Sequence, residues 1–170
     1  MTYKTIAVIG ALVIILGLFG LFFVGPKSAT IVPDNSKEQK SVLIYLYNTD
    51  QDKDINGNIL CSEKGLVEIE RSIPVSDTSI EDTLRLLLSG SINEADTAHG
   101  ITTEFPLPGF MLKNASLTDG NLLLTFEDPQ MKTSGGSCRV GILWHQIEAT
   151  AKQFQEVKTV LFSPKELFQP

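Results

Sequence analysis

The longest apolar stretch of the chain runs from Ile6 to Val24, nineteen residues without a charge. As a helix it is about 28 Å long, close to the ~30 Å hydrocarbon thickness of a bilayer. Gly25-Pro26 then ends the stretch. The alternative is a cleaved signal peptide, but its apolar region is typically about 7–15 residues long, and no A-x-A-like cleavage site follows Val24. The pattern therefore predicts an uncleaved transmembrane anchor.

The segments around this apolar run predict four parts: a short tail at 1–5, the anchor at 6–24, a polar stalk at 25–40 and one folded domain at 41–170. The stalk reads KSATIVPDNSKEQK from Lys27 onward, without an apolar period. Lysines lie on both sides of the anchor, so the positive-inside rule does not orient it.

In the first half of the domain, apolar patterning predicts two strands and a helix. Ser41–Tyr47 is β-branched, aliphatic and aromatic, and Leu66–Ile73 alternates before Pro74. The helix begins at Thr78, which with Glu81 has the spacing of a capping box, and ends at Gly90. Residues 91–100 are predicted to be a loop.

In the second half, Asp119-Gly120 between two apolar runs predicts a β-hairpin formed by Met111–Leu117 and Leu122–Phe126. A strand is expected at Val157–Phe162. The helix before it has an apolar stripe: Val140, Leu143, Trp144, Ile147, Ala151 and Phe154.

The resulting order is β-β-α-β-β-α-β, preceded by one transmembrane helix. Strands and helices are intermixed without a repeating βα unit, which is typical of the α+β class. We expect a mixed sheet with two helices packed on one face.

The net charge of the chain argues against one class of function, nucleic-acid binding. The chain has 14 Lys and Arg against 20 Asp and Glu, a net charge of −6. Without residues 1–26, which hold one Lys and no acid, the balance is 13 − 20 = −7. An acidic surface argues against a protein that follows the phosphates of nucleic acid.

Candidate catalytic groups are few. His145 is off the apolar stripe of its helix, and His99 lies in a predicted loop without an acid or Cys at ligand spacing. No nucleophile elbow, phosphate loop or zinc-protease motif occurs in the sequence. We therefore predict no catalytic residue and no cofactor.

One loop offers the alternative of a bound Ca²⁺ ion. The segment DKDINGNILCSE starts at Asp52 and ends at Glu63, and it has the ligand spacing of an EF-hand loop. The alternative is a turn rich in Asn, Asp and Gly for reasons of backbone geometry, since strands flank the segment. The candidate ligands are Asp52, Asp54, Asn56 and Glu63, with Gly57 for the tight turn.

Cys61 and Cys138 are the only cysteines. If the domain is outside the cytoplasm, an isolated even pair predicts one disulfide. The alternative is two buried thiols that act as small apolar residues.

Over nearly all of Val42 to Pro164 the sequence resembles the GerMN domain family, named for a sporulation and spore-germination protein. The matching pieces, by their order and spacing, are VLIYLYN from Val42, Arg71 ahead of Ile73-Pro74, LLLSG from Leu86, Glu94, Gly100 with Thr102-Thr103, Pro106 to Gly109, Asp119-Gly120, GGSC from Gly135, Thr150, Gln153 and Phe154. Ser91 departs from the Pro usual in the family.

The resemblance implies a bacterial, membrane-tethered domain outside the cytoplasm, with a fold similar to ring-building motifs and no known catalysis. It thereby orients the anchor, with Ile6–Val24 in the cytoplasmic membrane and the domain outside.

From these observations we expect a non-catalytic binding or assembly module of the cell envelope, which contacts the bilayer through its anchor and an envelope protein or a second copy through its domain. The alternatives are a Ca²⁺-binding extracellular module, and an envelope enzyme with an unfamiliar site.

Overall fold

The domain begins with a long central strand in the computed structural model, which describes residues 38–169. This strand, β1 (Gln39–Asn48), starts two residues before the predicted position, because Gln39 and Lys40 pair with β2. β2 (Leu66–Pro74) runs antiparallel to it over its whole length, and β3 (Ile101–Thr102) pairs with the opposite edge at Tyr47 and Asn48. The first sheet therefore has the order β2-β1-β3.

A second sheet has the order β4-β5-β6. β4 (Met111–Thr118) and β5 (Asn121–Glu127) form the predicted hairpin, and β6 (Thr159–Ser163) runs parallel to β5. The turn residues Asp119 and Gly120 have φ of 51° and 83°. Two positive φ angles are what a two-residue type I′ turn requires, so the Asp-Gly signal is confirmed.

Three helices accompany the sheets: α1 (Ser79–Leu88), α2 (Glu94–Ala98) and α3 (Ser137–Lys152). The predicted order lacked α2 and β3. A true capping box, formed by Asn93 and Asp96, starts α2 within the segment predicted to be a loop. The capping box predicted for α1 is wrong, because Thr78 makes no side-chain cap and its hydroxyl instead donates to Asp82.

The prediction of a single mixed sheet is also wrong, since β1 joins none of the strands β4 to β6. Side chains of the α3 region cover the part of its edge that β3 leaves open. The backbone N–H of Leu43 donates to Gln153 at 2.8 Å, and that of Tyr45 donates to Thr150 at 3.0 Å. These bonds replace a neighbouring strand, so the second sheet forms separately.

The apolar core lies between the sheets and the two long helices. α1 and α3 contact each other, and each touches strands of both sheets, α1 at β1 and β4 and α3 at β1 and β6. The helices thus join the two sheets instead of covering one face of a single sheet. Leu84 and Leu87 of α1 are buried, as are four residues of the predicted apolar stripe, Val140, Leu143, Ile147 and Ala151. Trp144 and Phe154 of that stripe are half-buried.

The predicted tail at 1–5, the anchor at 6–24 and the stalk up to residue 37 lie outside the described residues. Between residues 38 and 169, no helix is long and apolar enough to cross a membrane.

Candidate functional site

The Asp-rich loop (residues 52–63) is anchored by Asp52, whose side chain is buried. Its carboxylate accepts hydrogen bonds from the Ser62 backbone N–H and hydroxyl, both at 2.6 Å, and from the Tyr47 hydroxyl. Burial raises the pKa of Asp52, but the bonds from Ser62 and Tyr47 outweigh burial and bring the pKa below its usual range. Asp52 thus closes the base of the loop.

Asp54 organises the tip of the same loop. Its Oδ1 accepts from the backbone N–H of Asn56 and of Asn58, both at 2.8 Å, and its Oδ2 accepts from the Asn58 amide at 2.9 Å. The bonds from Asn58 and Asn56 lower the pKa of Asp54. Gly57, with φ of 86°, completes the turn.

The four predicted Ca²⁺ ligands therefore occupy different places. The carboxylates of Asp52 and Asp54 accept hydrogen bonds within the loop, and the backbone of Asn56 belongs to the turn at its tip. Glu63 points away toward α3, where its Oε1 lies 3.4 Å from Nδ1 of His145. Ca²⁺ binding by this set stays a prediction.

Cys61 and Cys138 form a disulfide, with Cα atoms 5.2 Å apart. Cys138 lies in the first turn of α3, so the bond ties the end of the Asp-rich loop to this helix. It places Glu63 beside the face of α3 that carries His145.

The result is a carboxylate–histidine cluster formed by Glu63, His145 and Glu148, whose ligand atoms all lie within 4.8 Å of one another. In the part of the chain that the structure describes, it is the one group of three metal-ligating side chains with this spacing. From the sequence we placed His145 off the apolar stripe of its helix and did not predict this cluster. The available signal was the His145-x-x-Glu148 spacing, which puts both side chains on one helix face.

His99 lies elsewhere, at the end of α2. Its Nδ1 donates to the carbonyl oxygen of Ala95 at 2.6 Å, and the side chain is exposed. This bond gives His99 the role of a helix-terminating residue.

A second feature is the open sheet face, the solvent side of β4, β5 and β6. Its centre is formed by Leu123 and Leu161, which are register partners and are 40% and 47% exposed. Three rungs of this face, each formed by register partners on β4, β5 and β6, contain no charged residue. They are Thr118, Asn121 and Thr159; Ser116, Leu123 and Leu161; and Asn114, Thr125 and Ser163. The next rung of the face carries Glu127, which pairs with Lys113 at 3.2 Å, so the uncharged area is confined to these three rungs. We did not predict this feature from the sequence.

No family model matches the chain, and no curated protein matches it. Among solved structures, the first GerMN domain of the sporulation protein GerM from Bacillus subtilis matches at 18% identity and a TM-score of 0.46, over 74% of this chain and 86% of that one. The tandem GerMN domains of the same protein match at 14% identity and a TM-score of 0.43, over 77% of this chain and 42% of that one.

This domain is similar to GerMN domains. Two of the positions that carry the sequence resemblance to GerMN domains, Thr150 and Gln153, are the residues that cover the edge of β1. A third, Arg71, pairs with Asp96 at the start of α2. These polar positions hold the sheets and helices together.

Proposed function

We propose that the chain is a non-catalytic binding or assembly module of the bacterial cell envelope, anchored in the cytoplasmic membrane by Ile6–Val24 with its domain outside. The domain contacts a protein through the open sheet face. This face carries the proposal, because Leu123 and Leu161 lie side by side on it without a charge in the surrounding rungs.

The edges of the same sheet support a protein as the partner. β4 and β6 are both edge strands, so one side of each backbone is without a strand neighbour in the sheet. Edge strands readily pair with another chain unless charge or distortion blocks them. The central residue of β6, Leu161, is apolar and exposed, which leaves this edge unprotected by charge.

One feature supports a place outside the cytoplasm, and a second supports attachment to a membrane. The Cys61–Cys138 disulfide is typical of proteins in an oxidising compartment. The apolar run at 6–24 has the length of a membrane anchor, and a tethered domain meets membrane-bound partners at a raised effective concentration.

The location is tested by protease added to intact spheroplasts that produce the full chain. We expect the domain to be degraded while a cytoplasmic marker protein survives. Full protection of the domain would reverse the proposed topology.

The contact surface is tested in living cells by a photo-crosslinking amino acid at Leu123 or Leu161. Ile55, which is fully exposed in the Asp-rich loop, is the matched apolar control. We expect a discrete crosslinked product from the sheet positions and background from position 55. Mass spectrometry then separates another protein from a second copy. Background at all three positions would contradict the proposal.

A further inference from the structure

The carboxylate–histidine cluster combines two segments that are far apart in the chain. His145 and Glu148 are one turn apart on α3, and Glu63, the last residue of the Asp-rich loop, begins a short 3₁₀ turn. Their ligand atoms lie within 4.8 Å of one another. Ligands about 2.0–2.2 Å from one tetrahedral ion are separated by about 3.4 Å, so small side-chain rotations suffice to close the group around an ion.

The disulfide holds the two segments in place. Cys61 precedes Glu63 by two residues, and Cys138 precedes His145 by seven, which is two helical turns and therefore the same face of α3. The backbone of Cys61 also passes close to the helix, since a Cβ built on Gly141 would lie 4.0 Å from the Cys61 carbonyl oxygen. The Cys61–Cys138 bond thus holds Glu63 beside His145.

His145 provides a separate observation that points to a ligand. Its Nδ1 is buried, makes no hydrogen bond and faces Glu63 at 3.4 Å. A buried nitrogen without a hydrogen-bond partner is uncommon in folded proteins, and the ion-pair contact with Glu63 does not supply that bond. Together with Tyr45, Ala149 and Gln153, the cluster lines an open cleft of about 270 Å³.

We propose that Glu63, His145 and Glu148 bind a divalent transition-metal ion, for which Zn²⁺ is the best-suited candidate. One imidazole nitrogen and two carboxylates form a three-ligand set that leaves a position for water. Ca²⁺ prefers six to eight oxygen ligands, which this cluster does not offer. Metal binding here is independent of the proposed contact through the open sheet face.

Two neighbours of Glu148 adjust the site. Trp144 donates to its Oε2 at 2.7 Å and orients the carboxylate, as outer partners of metal ligands commonly do. Lys152 lies 2.7 Å from its Oε1 and competes with a metal ion for that oxygen. Because Lys152 is exposed, its side chain is free to turn away when the ion binds.

The test is calorimetric titration of the full chain in detergent, disulfide intact, with ZnCl₂ and separately with CaCl₂. We expect one Zn²⁺ per chain, at least tenfold weaker binding in H145A, E63Q and E148Q, and tighter binding in K152A. H99A and D77N, at exposed positions, are the controls and leave Zn²⁺ binding unchanged. E63Q is decisive if H145A misfolds, since the Glu63 side chain is 73% exposed.

Three results would overturn the inference: no Zn²⁺ binding by the wild-type chain, Zn²⁺ binding that E63Q and E148Q leave unchanged, or binding of Ca²⁺ alone that D54N abolishes. The last result would assign the metal to the Asp-rich loop instead.

Discussion

Gln153 binds the backbone of Leu43 with both ends of its side-chain amide, across 110 residues of sequence. Its Oε1 accepts the Leu43 N–H at 2.8 Å, and its Nε2 donates to the Leu43 carbonyl. The amide thereby makes the two hydrogen bonds that a neighbouring strand would make. This contact ends the first sheet and attaches the end of α3 to it.

Replacing Gln153 with Ala leaves both backbone groups of Leu43 without these partners. We expect Q153A to lower the free energy of unfolding by about 2 kcal/mol, the usual cost of an unpaired buried polar group. The exposed Gln155 is the matched control, and Q155A is expected to change stability by less than about 0.5 kcal/mol. Urea unfolding measures both, and equal effects would show that the Gln153 contact contributes nothing.

Features that depend on neighbouring residues could be predicted from the sequence, whereas contacts between distant segments could not. The Asp119-Gly120 hairpin depends on two adjacent φ angles, and the helix end at Gly90 on one. The division into two sheets depends on Thr150 and Gln153 reaching β1 from more than 100 residues away, which no local pattern contains. The metal cluster likewise depends on a loop meeting a helix through a disulfide.

Gly90 has a steric role that Gly57 lacks. Both have positive φ, 68° and 86°, but a Cβ at Gly90 would lie 2.0 Å from the Phe105 carbonyl oxygen, whereas nothing lies within 4 Å at Gly57. We expect G57A to cost about 1 kcal/mol of left-handed strain and G90A more than about 3 kcal/mol. Thermal and urea unfolding of the two variants give the comparison. Equal losses of stability would contradict the close approach of Phe105.

The Cys61–Cys138 disulfide closes a loop with a sequence separation of 77. In the chain-entropy model we expect C61S/C138S to lose up to about 4.5 kcal/mol of unfolding free energy. A reductant should destabilise the wild-type chain similarly and leave the double variant unchanged. Unfolding of the wild-type chain that does not respond to reductant would show that the bond is absent in the purified protein.

Asp52 makes the free energy of unfolding depend on pH in the acid range. Because its pKa in the folded chain lies below the ordinary value, the unfolded chain takes up the proton first as pH falls. The contribution of Asp52 to the free energy of unfolding is therefore complete above the pKa of about 3.9 that an Asp has in the unfolded chain. It is lost as the pH drops through the lower pKa of Asp52 in the folded chain. Asp54 and Asp128 have lowered pKa values as well and act in the same direction.

We expect D52N to cost about 2 kcal/mol at neutral pH, since Asn offers one acceptor oxygen to the donors of Ser62 and Tyr47, and to flatten the fall in stability in acid. Urea unfolding from pH 7 to pH 3 measures both effects. D77N, at an exposed position, is the control. A D52N variant that keeps the wild-type acid dependence would assign it to other carboxylates.

Contact through the open sheet face is tested most directly with a photo-crosslinking residue at Ser116, the register partner of Leu123. Leu161, two strands away, is exposed, so L161E places a charge on the face without emptying the core. We expect L161E to lower the yield of the Ser116 crosslink in cells about tenfold, the effect of roughly 1.4 kcal/mol. I55E should leave the yield unchanged, and an unchanged yield in a folded L161E chain would contradict contact through this face.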